Sequence, residues 1–374
     1  MSTVPVRHIL FPTVLIAAGL ATPAVASAQH IPAQAASEDW NWADASPKEM
    51  PGFAASIAAC KAVRDLDPPA ADWPGSDVAA SLVGCDSGAL YYGIGMKADP
   101  VRARQCALME TQRPDGNDSP FRGTAMLMTI YANGRGAKKD LDLATSLACR
   151  IDDAPAAIDG RVQHLQALKQ DESPGEFGYC DDITSGLSSG QCAAHEAALK
   201  TTGRSARRDK LTAGWSAAAR QAFVPLQEAA DFYAKTSGEN EVDLSGTARA
   251  AFAVEQEERL RKSFADLLRT LESGGLKQGA AFKTEDARLN AVYRRIMASK
   301  TPPDERGPYA SADSLPWTTV TRSGIRETQR AWLRYRDAWV AFAAVRYPAL
   351  DADALRAELT RQRLAQLQGL LPRK

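Results

Sequence analysis

The stretch Gln329-Arg-Ala-Trp332-Leu-Arg-Tyr-Arg336-Asp337-Ala-Trp339 sets polar side chains into the apolar face of a helix. At 100° per residue, Gln329 and Arg336 fall within about 60° of Trp332, on the face that also carries Trp339. Polar groups on a face that packs inward are costly unless they have specific partners. The stretch therefore predicts an amphipathic helix that packs in a bundle and brings its own polar contacts.

A second segment, Asp286-Ala-Arg-Leu-Asn290-Ala-Val-Tyr293-Arg-Arg-Ile-Met297, has the same character. Asp286, Asn290 and Tyr293 step by four and three residues, so they share one helical face. We therefore expect the two helices to pack together, with Asp286 pairing with Arg336 and Asn290 with Gln329. A charge-assisted pair at such a contact is worth roughly 1.5–3 kcal/mol.

Helical spacing of apolar residues continues through most of the chain, and Val, Ile and Thr form no alternating runs. The pattern predicts one long helix from about Ala193 to Lys235 with a break near Gly203, and another from about Ser245 to Glu272. A helix starting near Thr284, which we expect to be its N-cap, and a final helix from Asp351 to Leu371 complete the bundle. The predicted fold class is all-α: a short αα-hairpin repeat array followed by an antiparallel helical bundle.

The repeat array is predicted from an internal match between Gly93-Ile-Gly95-Met-Lys97-Ala-Asp99 and Gly134-Arg-Gly136-Ala-Lys138-Lys-Asp140. The glycines permit the positive φ that reverses a chain after a helix, and Asp99 and Asp140 are good N-caps for the helices that follow. This stretch resembles the Sel-one-like repeats, relatives of the tetratricopeptide repeat. The resemblance implies a helical-repeat domain at residues 52–172 that is able to bind proteins.

The N-terminus predicts export. Arg7 and His8 form a short basic start, and the mostly apolar stretch from Ile9 to Leu20 is too short to span a bilayer. Ala26-Ser27-Ala28 is a cleavage site of the A-x-A type. We therefore expect a signal peptide at residues 1–28, followed by a disordered leader at residues 29–51 that is rich in Ala, Ser and Pro. The mature protein is expected in a bacterial periplasm or secreted, and not embedded in a membrane.

The cysteines agree with an oxidising compartment. Their even number suggests disulfides, and six thiols allow 15 pairings, so most of the connectivity stays open. Cys180 and Cys192 are close in sequence and are expected to pair. The absence of a C-x-x-C pair argues against a redox site and a zinc ribbon. The predicted disulfide residues are Cys60, Cys85, Cys106, Cys149, Cys180 and Cys192.

Charge divides the chain into two unequal parts. Residues 29–192 carry 14 Lys and Arg against 23 Asp and Glu, whereas residues 193–374 carry 30 against 22. This asymmetry predicts two domains, and it is explained by an acidic patch for a cationic partner, by mutual attraction of the two parts, or by scattered solvated charge. The basic part lacks the aromatic-rich basic cluster that favours nucleic acid, so no nucleic-acid partner is expected.

Three ordered motifs, Asp286–Tyr293, Gln329–Asp337 and Leu359–Arg363, resemble the LprI-like family of lysozyme inhibitors. The Cys180–Cys192 segment resembles the cysteine-bearing start of that family. The resemblance assigns residues 177–374 to an LprI-like helical domain and implies a protein partner, with lysozyme as the candidate. The chain departs from the family by lacking its C-terminal cysteines and by carrying a long helical insertion before Asp286.

No catalytic motif accompanies these features: the sequence has no H-E-x-x-H, G-x-S-x-G, P-loop or dinucleotide-binding glycine run, and its histidines are isolated. We therefore predict a non-enzymatic binding protein without a cofactor or metal, which inhibits lysozyme-type muramidases. The alternatives are an envelope scaffold that binds proteins through its repeats and, more remotely, a wall-acting enzyme with two isolated carboxylates. The motif residues are either a buried network or a contact surface: Asp286, Asn290, Tyr293, Gln329, Trp332, Arg336 and Asp337.

Overall fold

The computed structural model describes residues 40–170, 175–276 and 281–371. Across these ranges the chain forms thirteen α-helices and no β-sheet, which confirms the predicted all-α class. None of the described helices is both long and apolar enough to cross a membrane. The predicted signal peptide, residues 29–39 of the predicted leader and residues 171–174 beside the predicted domain boundary lie outside the described ranges.

Seven helices form the first part of the described chain, around a core that includes Tyr91, Met128 and Leu147. Trp42 and Ala43, which the sequence assigns to a disordered leader, belong to this core. Trp42 is only 4% exposed, and its backbone N–H donates to the carbonyl of Cys149 at 2.8 Å. The helices are α1 (Ala54–Ala62), α2 (Ser76–Ser81), α3 (Ser87–Tyr92), α4 (Pro100–Glu110), α5 (Gly123–Asn133), α6 (Leu141–Ala148) and α7 (Pro155–Lys169).

The internal sequence match corresponds to two hairpins, α3–α4 and α5–α6, with the same turn. Asp99 accepts a hydrogen bond from the Arg102 backbone N–H, and Asp140 accepts one from the Leu143 backbone N–H, so both aspartates are N-caps as predicted. The four motif glycines all have positive φ, between 65° and 94°. The turn geometry thus repeats, while membership of the Sel-one-like family stays a prediction.

Two disulfides lie within this part and a third joins it to the helix that follows, and no cysteine of the described chain is free. Cys180 pairs with Cys192, which confirms the prediction from sequence. The pairing that the sequence left open is Cys60 with Cys149 and Cys85 with Cys106. Cys106 lies within α4, whereas Cys85 precedes α3 and Cys149 follows α6.

Six longer helices form the second part. The predicted break near Gly203 is wrong: α8 runs through Gly203, and the chain turns at residues 213–216, where the Ser216 side chain caps α9. Thr284 is not an N-cap, because α11 begins at Phe282 and Thr284 therefore lies within its first turn. The helices are α8 (Gly186–Thr212), α9 (Ala217–Asn240), α10 (Arg249–Glu272), α11 (Phe282–Ala298), α12 (Arg322–Arg346) and α13 (Ala352–Gly369).

Helix α9 lies between α10 and α12 and runs antiparallel to both. Tyr233 stacks on Tyr335 with ring centroids 5.3 Å apart, and Phe223 contacts Phe342 at 5.2 Å, so the numbers on α9 fall as those on α12 rise. Helix α8 packs against α10 in the same direction, and α11 packs against α13. The bundle is therefore only partly antiparallel, and the two motif helices α11 and α12 do not form the predicted pair.

Candidate functional site

The polar pairs predicted between α11 and α12 are absent. Asp286 instead accepts a hydrogen bond from Asn290, one turn along its own helix, at 2.8 Å. Arg336 donates to the neighbouring Asp337 at 2.9 and 3.0 Å, and its guanidinium lies 5.3 Å from the ring of Trp332. The predicted pairs do not form because α11 packs against α13 while α12 packs against α9.

The seven motif residues divide by exposure. Trp332 is 2% exposed and Gln329 is 9% exposed, so both lie in the interior. Asp286, Asn290, Tyr293 and Arg336 are partly buried, and Asp337 is exposed. The structure therefore does not bring the seven side chains together as one surface patch.

The partner of Gln329 is Arg363, the last residue of the third sequence motif. The Nε of Arg363 donates to Gln329 Oε1 at 2.9 Å. Its two terminal nitrogens donate to the carboxylate of Glu241, at 2.7 Å from Nη1 and 2.6 Å from Nη2. The Arg363 and Glu241 side chains are 0% and 3% exposed, so this two-point ion pair lies in the interior and joins the end of α9 to α13.

Further polar groups complete this buried network. Nη1 of Arg363 also donates to Gln366 Oε1 at 3.2 Å and lies 3.4 Å from the hydroxyl of Tyr233, which itself donates to Gln366. Ser237 donates to Glu241 at 3.1 Å. Burial raises the pKa of Tyr233 to about 12, so its hydroxyl stays protonated. Burial opposes the charge of Arg363, but the buried carboxylate of Glu241 outweighs it and raises the guanidinium pKa.

The chemistry of this network is structural. A buried ion pair whose hydrogen bonds are satisfied holds its helices in one arrangement, and a general acid or base instead needs a group that can exchange protons. The positions of Gln329 and Trp332 favour the interpretation of the motifs as a buried network. Glu241, directly after the end of α9, was not predicted from the sequence. The signal for it was the arginine at 363, which needs an acid once it is buried.

A cleft of about 1430 Å³ opens beside the network, between α8 and α10 on one side and α13 on the other. Trp332, Tyr335 and Arg363 line its inner surface. At its rim Arg204 and Arg261 both pair with Glu258. No group of three or more potential metal ligands occurs within the described ranges, and the rim offers paired charges rather than a convergent catalytic set.

A different surface lies on the segment between α11 and α12, residues 299–321, which we call the α11–α12 loop. The sequence indicated only that this loop is too long for a bare turn. Its Tyr309 side chain is 88% exposed and its Trp317 side chain is 67% exposed. Both also have positive φ, 65° and 58°, and they are the only residues other than glycine with that backbone conformation in the described chain. Each such residue costs roughly 1–2 kcal/mol, and this kind of strain concentrates at functional sites.

The side chain of Arg322 anchors the α11–α12 loop through hydrogen bonds. This side chain is 7% exposed and donates to the carbonyls of Asp313 and Ser314, at 2.8 and 3.0 Å, and to the hydroxyl of Thr301 at 2.9 Å. Asp313 in turn accepts hydrogen bonds from Ser323. Partial burial acts against the charge of Asp313, but the bonds from Ser323 outweigh it, so the carboxyl pKa is lowered.

A second anchor connects the loop to the segment after α9. Thr319 donates its backbone N–H and its hydroxyl to Asp243, both at 3.1 Å, and accepts from the backbone N–H of Leu244 at 2.7 Å. Leu315 and Val320 are buried in the second core. The two exposed aromatic residues therefore project from a well-anchored loop.

Comparison with known proteins connects this region to a family. A family model described as lysozyme inhibitor LprI matches residues 277–367, which include α11, the α11–α12 loop, α12 and most of α13. No curated protein and no solved structure matches the chain significantly. The family match supports a lysozyme-inhibitor-like, non-enzymatic binding role for the C-terminal part, and the three disulfides agree with an exported protein.

Proposed function

We propose that this protein is exported through a signal peptide at residues 1–28 and inhibits lysozyme-type muramidases in the bacterial periplasm. One observation carries the proposal: the family described as lysozyme inhibitor LprI matches residues 277–367. The buried Gln329–Arg363 contact supports it, because this contact joins two of the three sequence motifs and gives the matched region a defined arrangement.

A lysis assay tests the proposal. The mature chain, with its disulfides intact, is added in excess to c-type lysozyme acting on purified bacterial cell walls, and the fall in turbidity is followed. We expect the rate of lysis to decrease in proportion to the lysozyme bound, with saturation at equal molar amounts. Lysis at the uninhibited rate with micromolar protein present would contradict the proposal.

A control separates inhibition from coating of the cell walls. The walls are incubated with the protein, washed, and then treated with lysozyme. Inhibition of the enzyme predicts normal lysis after washing, because the protein acts on lysozyme and not on the substrate. Persistent protection of washed walls would indicate wall binding instead.

The second candidate function is an envelope scaffold that uses the helical repeats. The repeated hairpins favour it, and so do three exposed apolar side chains near the first hairpin, namely Val83, Met96 and Val101, which are 81%, 50% and 51% exposed. The test uses the full chain, because the Cys60–Cys149 disulfide joins α1 to the repeats. Replacing the three residues with Ser should abolish crosslinking to an envelope protein and leave lysozyme inhibition unchanged if the repeats form a separate binding surface.

A further inference from the structure

The α11–α12 loop has two residues that are both highly exposed and in a strained backbone conformation. Its aromatic side chains Tyr309 and Trp317 are the most exposed aromatics among the large hydrophobic residues of the described chain. Both also have the strained positive φ that glycine would adopt without cost. Neither an exposed aromatic ring nor a strained backbone stabilises the folded chain. The two residues are therefore better explained by contact with another molecule.

The turn that carries Tyr309 lies against the backbone of Trp317. The backbone N–H of Trp317 donates to the carbonyl of Glu305 at 2.9 Å. A Cβ placed on Gly307 would lie 3.8 Å from the carbonyl carbon of Trp317, so the turn that leads to Tyr309 runs along the Trp317 backbone. Since Arg322 and Asp243 anchor the loop, its backbone is held in place before any partner arrives, which lowers the entropic cost of binding.

We propose that Tyr309 and Trp317 are the contact residues for the protein partner and that they enter the substrate cleft of a lysozyme-type muramidase. This inference rests on the proposed function and names the surface that performs it. Trp and Tyr dominate the energetics of protein interfaces when they fill pockets on the partner. The loop lies entirely within the region that matches the lysozyme inhibitor family. A glycosidase offers a concave site for exposed aromatic side chains, between the two carboxyl groups that flank the sugar.

The test compares Trp317→Gly and Tyr309→Gly with the unaltered full-length mature protein. Glycine removes the side chain and accepts the positive φ, so the melting temperature should stay within a few degrees. We expect the concentration that halves lysozyme activity to rise at least tenfold for each variant. Trp73→Ala is the matched control, because Trp73 is 39% exposed and lies outside the family match; it should inhibit like the unaltered protein.

A competition experiment tests the place of binding. A soluble chitin trisaccharide occupies the sugar sites of lysozyme, so it should weaken the binding of the protein to lysozyme in proportion to the fraction of sites filled. An affinity for lysozyme that is unchanged by the trisaccharide would contradict insertion into the cleft. Cosedimentation of the protein with peptidoglycan that is lost in Trp317→Gly, in the absence of lysozyme, would assign the aromatic pair to the glycan instead.

The lysis assay distinguishes a failure of the proposed function from a failure of the proposed contact surface. If the unaltered protein does not slow lysis, the proposed function fails and this inference fails with it. If the unaltered protein inhibits and both glycine variants inhibit equally well, the proposed function stands and the aromatic pair is not the contact surface.

Discussion

Arg363 and Glu241 form a two-point ion pair across 122 positions of the sequence, with nitrogen–oxygen distances of 2.6 and 2.7 Å. Neither side chain is more than 3% exposed. The same guanidinium holds Gln329 through its Nε, so one arginine connects α13 to α12 and to the end of α9. A buried pair of this kind matters most through what its loss leaves behind, namely an uncompensated charge in the interior.

We therefore predict that Arg363→Met destabilises the fold by about 3–5 kcal/mol, because Glu241 keeps its buried carboxylate and loses its partner. Urea unfolding followed by circular dichroism measures this cost. The double variant Arg363→Met with Glu241→Gln should recover part of it, because no unpaired charge then remains. Arg361→Met is the control: Arg361 is exposed and pairs only with Glu358, so its loss should cost less than about 0.5 kcal/mol. Equal losses in Arg363→Met and Arg361→Met would contradict the buried pair.

Features that depend on neighbouring residues were predictable from the sequence. The aspartate caps at Asp99 and Asp140, the positive-φ turns and the Cys180–Cys192 pair all follow from residues within about a dozen positions of one another. The helical class follows for the same reason, because helical periodicity is a local pattern.

Features that depend on which helices meet were not predictable in the same way. A helical wheel correctly assigned Gln329 to the buried face of α12, but it contains no information on the helix opposite. The predicted partner was Asn290, and the actual partner Arg363 lies on α13. The Cys60–Cys149 pair, 89 residues apart, and the Tyr309–Trp317 surface depend equally on tertiary packing. The domain boundary drawn from sequence stays a prediction, although Phe177 and Tyr179 beyond it pack on the first core.

The second prediction contrasts two neighbours on α12. Arg336 is partly buried, bonds to the exposed Asp337 and lies over the rings of Trp332 and Phe282, so Arg336→Ala should cost about 1–2 kcal/mol, the range for cation–π contacts from exposed to desolvated. Trp332→Ala should cost about 3–5 kcal/mol, because it leaves a cavity in the second core. Urea unfolding of both variants measures the contrast. A loss above 3 kcal/mol for Arg336→Ala would instead indicate a buried partner for that arginine.

The third prediction orders two disulfides by the length of chain that they close. Chain-entropy estimates give about 4–5 kcal/mol for an 89-residue separation and about 3 kcal/mol for a 12-residue separation. The double variant Cys60→Ser with Cys149→Ser should therefore unfold with its midpoint at a lower urea concentration than the double variant Cys180→Ser with Cys192→Ser. Cys60 and Cys149 are also buried, which adds to the stability lost when this bridge is removed. The reverse order would show that strain or packing outweighs chain entropy here.

The fourth prediction concerns His195, which connects the two parts of the structure. Its ring stacks on Phe121 with centroids 3.7 Å apart and meets the edge of Tyr92 at 4.5 Å. Burial lowers the pKa of His195 from 6.5 to about 4, although Asp86 acts in the opposite direction. The folded chain therefore holds this imidazole neutral where the unfolded chain would protonate it.

The sign of the pH dependence follows from this shift. Well above pH 6.5 the ring is neutral in both states, so the pH has no effect on stability through His195. As the pH falls from 6.5 to 4, the unfolded state gains a proton that the folded state does not, so stability falls, by on the order of 2–3 kcal/mol at pH 4. His195→Phe keeps the stacking on Phe121 and removes the titrating group. The difference in unfolding free energy between His195→Phe and the unaltered protein should thus grow steadily from pH 7 to pH 4. A constant difference across that range, or an imidazole resonance that titrates near pH 6.5 in the folded protein, would show that the ring is solvated and not held in this contact.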